Sequence, residues 1–113
     1  MDMAGQLKST GRRKSGRGKS SRGVSDEILK YRERDIVLDT DSFFLFIGKL
    51  DDVRGDFIVL RDADVHDRRE SPSMNEKYLI ESKKFGIRVN RKLVHIRIQE
   101  VISLSLLDDI VEY

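Results

Sequence analysis

Residues 43–65, "FFLFIGKLDDVRGDFIVLRDADV", place two apolar runs on either side of a charged, glycine-containing segment. "FFLFIGKL" (43–50) reads as a strand, "DDVRGD" (51–56) as a hairpin turn, and "FIVLRDADV" (57–65) as the next strand. Gly48 interrupts the first run, and a glycine inside a strand marks a bend or bulge. Alternation with period two sets Phe57, Val59, Ala63 and Val65 on one face of the second run. Ile58 and Leu60 begin the opposite face, which turns polar at Asp62, Asp64 and His66.

Upstream, "SDEILKYRER" (25–34) predicts a short helix capped by Ser25, with Asp26 and Glu27 at its positive end. "DIVLD" (35–39) reads as a strand and "DTDS" (39–42) as a turn whose aspartates hydrogen-bond the backbone. Downstream, "DRRESP" (67–72) is a charged loop, and Ser73 with Glu76 forms a capping box. The helix that follows sets Met74, Tyr78, Leu79 and Phe85 broadly to one side as core contacts, and Gly86 ends it. "KLVHIRIQ" (92–99) alternates with Val94, Ile96 and Ile98 inward and His95, Arg97 and Gln99 outward. In "VISLSLL" (101–107), Ile102, Leu104 and Leu106 oppose Ser103 and Ser105. Five short strands, a leading helix and a bent second strand predict a mainly β fold, a small antiparallel barrel whose closure removes exposed edges.

The 113 residues suffice for one small domain, expected over residues 25–113. Residues 1–24 carry seven basic residues (Lys8, Arg12, Arg13, Lys14, Arg17, Lys19, Arg22) against Asp2, a net of +6. The other 89 residues then hold 15 basic and 19 acidic residues, a net of −4. "GRRKSGRGKSSRG" has almost nothing to bury, so a disordered tail is expected. Its charges suit phosphates through counterion release, or else serve to solubilise the chain or screen an acidic domain. Cysteine is absent, so disulfides and thiolate metal sites are excluded. No apolar run is long enough to span a bilayer and the basic N-terminus lacks a signal-peptide core, so a cytoplasmic location is expected.

Catalytic chemistry finds little support. The two histidines, His66 and His95, fall on strands, and no serine sits in a nucleophile turn. GxGxxG, HExxH and a phosphate loop are missing, since "RGKSS" has neither a strand before it nor a helix after it. No cofactor and no small-molecule substrate is implied. Asp62, Asp64 and His66 offer metal-ligand chemistry on one strand face. Same-face neighbours lie about 6.5–7 Å apart along a strand, so the three splay instead of enclosing one ion. With Arg61, Arg68 and Arg69 nearby, the segment reads as a solvated strand end or a protein-contact edge.

"FIGKLDDVRGDFIVLRDA" (46–63) is similar to the first motif of the Sm-like (LSm) family: an aromatic residue, Gly48, Leu50, a short turn, "IVL" and an acidic residue. "IRIQEVISL" (96–104) is similar to its second motif. The resemblance covers residues 25–107, with a helical insertion between strands three and four. It implies an N-terminal helix, five strongly bent antiparallel strands, assembly into a homo-oligomeric ring and RNA binding without catalysis. Arg97, with Gln99 behind it, matches the family's RNA-contacting residues. In the other RNA-contacting turn, Phe57 stands where the family has asparagine and Val53 or Arg54 where it has aspartate, while Ile98 replaces the glycine of the second motif. The expected RNA contacts are therefore Arg97, Gln99, Arg54 and the tail residues Arg12, Arg13, Lys14, Arg17, Lys19 and Arg22. The alternative is a protein-interaction or homo-oligomerisation barrel with no RNA in its core, which the missing asparagine and glycine favour. "ADVHD" and "SLLDDIV" also look like small bacterial proteins of unassigned function, a likeness that supplies no activity.

Overall fold

A computed structural model describes residues 16–69 and 72–112, without the side chains of 16–22, 72 and 73. Its elements are α1 (Gly16–Leu29), β1 (Asp35–Thr40), β2 (Phe44–Arg54), β3 (Phe57–Asp67), α2 (Pro72–Phe85), β4 (Arg91–Arg97) and β5 (Val101–Leu106). Short 3-10 turns, Ile98–Glu100 and Leu107–Asp109, follow β4 and β5. The five strands form one antiparallel sheet in the order β4-β3-β2-β1-β5. A mainly β chain with an N-terminal helix and a helix between β3 and β4 is what the sequence led us to expect. The ladder leaves β4 and β5 as its two edges, so closure by hydrogen bonding between them is not part of the sheet.

The bends have identifiable causes. Ile47 pairs with Asp64 and Lys49 with Arg61, so Asp62 and Ala63 together oppose Gly48. Asp62 takes φ +50, a left-handed conformation that suits a bulge. Gly48 is required on the other strand: a Cβ there would lie 2.9 Å from the Ala63 Cβ and 3.1 Å from its Cα. A second shift, between Leu50 and Asp52, adds another kink to β2. A third, at Asp39 and Thr40, sets Val101 and Ser103 opposite adjacent residues and turns Ile102 outward. Ile102 is 68% exposed, against the inward place its alternation suggested.

Both faces of the sheet are covered. One holds Ile36, Leu38, Leu50, Ile58, Leu60, Ala63 and Ile96, against which Ile28 of α1 and Tyr31 pack. The other holds Val37, Leu45, Ile47 and Leu107, covered by Tyr78 and Leu79 of α2 with Ile87 and Ile110. The bulge at Asp62 explains why Ile58, Leu60 and Ala63 join one cluster although simple alternation would separate Ala63 from the other two.

The helices differ from expectation at their starts. α1 opens at Gly16, nine residues before Ser25, so Ser25 lies inside the helix. Nothing in the composition of residues 16–24, with glycines at 16, 18 and 23, favours that extension. The remainder of the expected tail, residues 1–15, lies outside the described residues. α2 opens at Pro72, which is pre-organised for a first helical position, so Ser73 is within the first turn instead of capping it. Gly86, at φ +99, ends α2 with its N–H donating to the Ser82 carbonyl at 3.0 Å. Tyr78 and Leu79 are the core contacts foreseen, whereas Met74 is 49% and Phe85 81% exposed. Facing the sheet alongside them is Ser82, which is buried.

Candidate nucleic-acid interface

The β2–β3 hairpin turns at Gly55, whose φ of +57 a side chain would strain. Its register sets Arg54 opposite Phe57, and the β3–β4 register sets Phe57 opposite Arg97. Directly paired residues project to the same face, so Arg54, Phe57 and Arg97 form one row across three strands. Adjacent strands lie about 4.8 Å apart, which puts the two arginine backbones about 10 Å apart with the phenyl ring between them. Phe57 is 39% exposed, and His95 meets its ring edge-on at a centroid distance of 6.2 Å.

Hydrogen bonds tie the turn that carries Gln99 to two neighbouring loops. The Ile98 N–H donates to the Asp56 carbonyl at 2.8 Å, and the Asp41 N–H donates to the Glu100 carbonyl at 2.8 Å. Gln99 and Arg97 are both exposed. Arg97 has no ion pair among the described residues, whereas Arg54 Nε lies 3.3 Å from Asp52 Oδ2. The Val53 N–H, then Arg54, holds the Asp52 carboxyl below its ordinary range. The structure thus brings Arg54, Arg97 and Gln99 to one end of the sheet. Arg12, Arg13 and Lys14, and the side chains of Arg17, Lys19 and Arg22, lie outside the described residues. In the sequence Phe57 appeared only as a departure from a motif, and its place between two arginines became visible through the register.

Asp62, Asp64 and His66 do not converge. Asp62 is exposed on the bulge, whereas Asp64 is buried and accepts from the Tyr78 hydroxyl and Asn90 Nδ2, each at 2.7 Å. His66 stacks on Tyr78 with centroids 3.8 Å apart, and its Nε2 lies 3.0 Å from Asn75 Oδ1. The bulge at Asp62 takes that residue off the face that Asp64 and His66 share, where both meet Tyr78. No group of three His, Asp or Glu side chains is placed to hold a metal among the described residues. The nearby arginines have other partners: Arg61 binds Glu33 and Asp51, Arg68 binds Asp39 and the Thr40 carbonyl, and Arg69 binds Asp67. Arg69 also lies 4.9 Å above the exposed Phe43 ring.

Arg69, through its side chain and its backbone N–H, pulls the Asp67 carboxyl down to about 2. A depressed carboxylate stabilises the fold above its unfolded pKa, and that contribution fades as pH falls through the folded value. An NMR titration should therefore place the Asp67 midpoint near 2. Arg69→Ala should return it toward the ordinary aspartate range, and a midpoint that does not move would refute the pairing.

The fold is similar to that of archaeal Sm-like proteins. One is the Sm protein of Pyrococcus abyssii, solved in complex with a uridine heptamer, at 19% identity and a TM-score of 0.48 over 72% of this chain and 93% of that one. Another is the SmAP (LSm) protein of Methanococcus vannielii, at 15% identity and a TM-score of 0.47 over 72% and 90% of the two chains. No protein-family model and no curated protein matches the sequence. No described helix is long and apolar enough to cross a membrane.

Proposed function

We propose that this chain is a non-catalytic RNA-binding protein that assembles with copies of itself into a ring. The observation that carries the reading is the row Arg54–Phe57–Arg97, with Gln99 on the adjoining turn. An exposed aromatic edge between two guanidinium groups offers a base something to stack on and its phosphates something to pair with. Asp52, Asp56 and Glu100 surround the row, so the basic tail supplies much of the attraction and the row supplies position.

Assembly is supported by the two sheet edges. β4 carries Arg91, Lys92, His95 and Arg97 with no acid, whereas residues 98–112 carry Glu100, Asp108, Asp109 and Glu112 with no base. A basic edge facing an acid-flanked edge favours head-to-tail contact between copies, which closes into a ring where the rotation allows. Ile102, 68% exposed, and Leu93, 52% exposed, then gain apolar cover.

The test is binding of a single-stranded oligouridine to the full chain across a salt series. Arg97→Ala should weaken binding and flatten the slope of log K against log salt by about 0.7, the share of one single-strand phosphate contact. An unchanged affinity and slope would refute the row as the RNA contact and favour the protein-interaction reading of the barrel. Light scattering of the same samples checks the ring, which a monomer at all concentrations would refute.

A further inference from the structure

Residues 83–92, "KKFGIRVNRK", contain five of the fifteen basic residues that follow residue 24, and no acid. They run from the end of α2 through a loop to the start of β4, at the opposite end of that strand from Arg97. Six strand steps separate Arg91 from Arg97, a span of about 20 Å. Among the described residues only Lys84 of the five is neutralised, by Glu112 at 2.8 Å. The Lys83 ammonium donates to the Ile110 carbonyl at 2.6 Å and the Arg91 guanidinium to the Asn90 carbonyl at 2.9 Å, and neither has an ion pair among the described residues. Arg88 and Lys92 are exposed without an ion pair among the described residues.

Phe85, which follows Lys83 and Lys84 in the chain, is 81% exposed and lines a groove with Lys77, Ile80 and Lys84 and the carboxylates of Glu76, Glu81 and Glu112. Its backbone is fixed, because Gly86 turns the chain there and its N–H closes the helix on Ser82. Val89 is 51% exposed beside it. Arg88 and Val89 also line a cleft of about 510 Å³ whose other walls include Asp64, His66, Tyr78 and Asn90. An exposed phenyl ring and four cations without an ion pair among the described residues, on one short stretch of chain that also contributes Arg88 and Val89 to a cleft rich in hydrogen-bonding groups, combine the parts that single-stranded nucleic acid uses. A lipid surface would use the charge and the phenyl ring but has no need of the polar cleft.

We infer that the α2–β4 junction is a second RNA-contacting surface, in which Phe85 stacks on a base and Lys83, Arg88, Arg91 and Lys92 engage phosphates. This rests on the RNA-binding reading and adds a site that the Arg54–Phe57–Arg97 row does not include. One strand of RNA can then span the length of β4, from the junction to the row.

The test compares the full chain with Phe85→Ala, with the double substitution Arg88→Ala/Lys92→Ala, and with Arg97→Ala, using a fluorescein-labelled single-stranded oligouridine across a salt series. All side chains replaced are exposed, and melting temperatures verify that the fold is kept. Phe85→Ala should weaken binding by about 5- to 150-fold, the range for one base stacked on an aromatic ring. The double substitution should reduce the salt slope by about 1.4, twice the single-strand value per phosphate. If both junction variants bind as the parent does while Arg97→Ala is weakened, the second surface is refuted and the RNA reading stands. If the parent itself binds no RNA, both fall. Vesicles with a phosphatidylserine fraction provide the last comparison: junction-dependent binding to vesicles but not to RNA overturns the proposal in favour of a membrane surface.

Discussion

Gly48→Ala should lower the unfolding free energy by about 2–3 kcal/mol, the scale for overpacking a close-packed interior, and Gly48→Val by more. The added Cβ would meet Ala63 Cβ at 2.9 Å, Ala63 Cα at 3.1 Å and Leu60 Cβ at 3.2 Å. Two of these are the short side-chain stubs of buried residues and one is backbone, so no flexible chain end can move aside. β2 and β3 would separate at the bulge that bends them together. The loss should therefore be accompanied by weaker hydrogen-exchange protection around Ile47 and Ala63. Urea unfolding measures the effect, and a change below about 0.5 kcal/mol, the range of neutral surface changes, would show that the bend does not depend on this contact.

Tyr78→Ala should cost about 3–4 kcal/mol, in the range for aromatic-to-alanine changes in cores. Tyr78 packs with Val37, Leu45, Ile47 and Leu107, stacks on His66, and donates to the buried Asp64. Its removal leaves that carboxylate with Asn90 as its remaining side-chain donor. Tyr78→Phe keeps the packing and should cost about 1.5–3 kcal/mol, the range for one hydrogen bond to a charged group. Burial first, and Asp64 second, push the Tyr78 hydroxyl above its ordinary value of 10.0. A raised pKa means that the folded state holds the proton more tightly, so the contribution is complete below pH 10 and is lost as pH rises beyond it. Above pH 10 the parent should lose up to about 1.4 kcal/mol per pH unit from this residue, and Tyr78→Phe should lack that component. Equal alkaline slopes for the two proteins would contradict the buried phenol.

How much of this could be read from the chain depends on distance along it. The hairpin around Gly55, the end of α2 at Gly86 and the runs of β1 to β5 are local signals, and they were legible. The bulges were less so. Gly48 announced a bend, but only pairing with β3 shows that Asp62 is the residue left over, and that bulge separates Asp62 from Asp64 and His66. Ile102 was misplaced for the same reason, since a one-residue shift against β1 reverses its face. The row of Arg54, Phe57 and Arg97 joins residues up to 43 positions apart and follows from register alone. By contrast, the basic stretch 83–92 stands in plain sight in the sequence. It was hidden by the alternation of β4, whose helical approach and exposed Phe85 only the fold sets beside it.

On the proposed reading, RNA meets the end of the sheet where Arg54, Phe57, Arg97 and Gln99 gather. Hydrogen–deuterium exchange of the full chain with and without a single-stranded oligouridine tests it most directly. Added protection in peptides covering residues 53–57 and 96–100, lost in Arg97→Ala, is the predicted result. Protection confined to the residues before α1, with both of those segments unchanged, would show that RNA does not meet this end of the sheet.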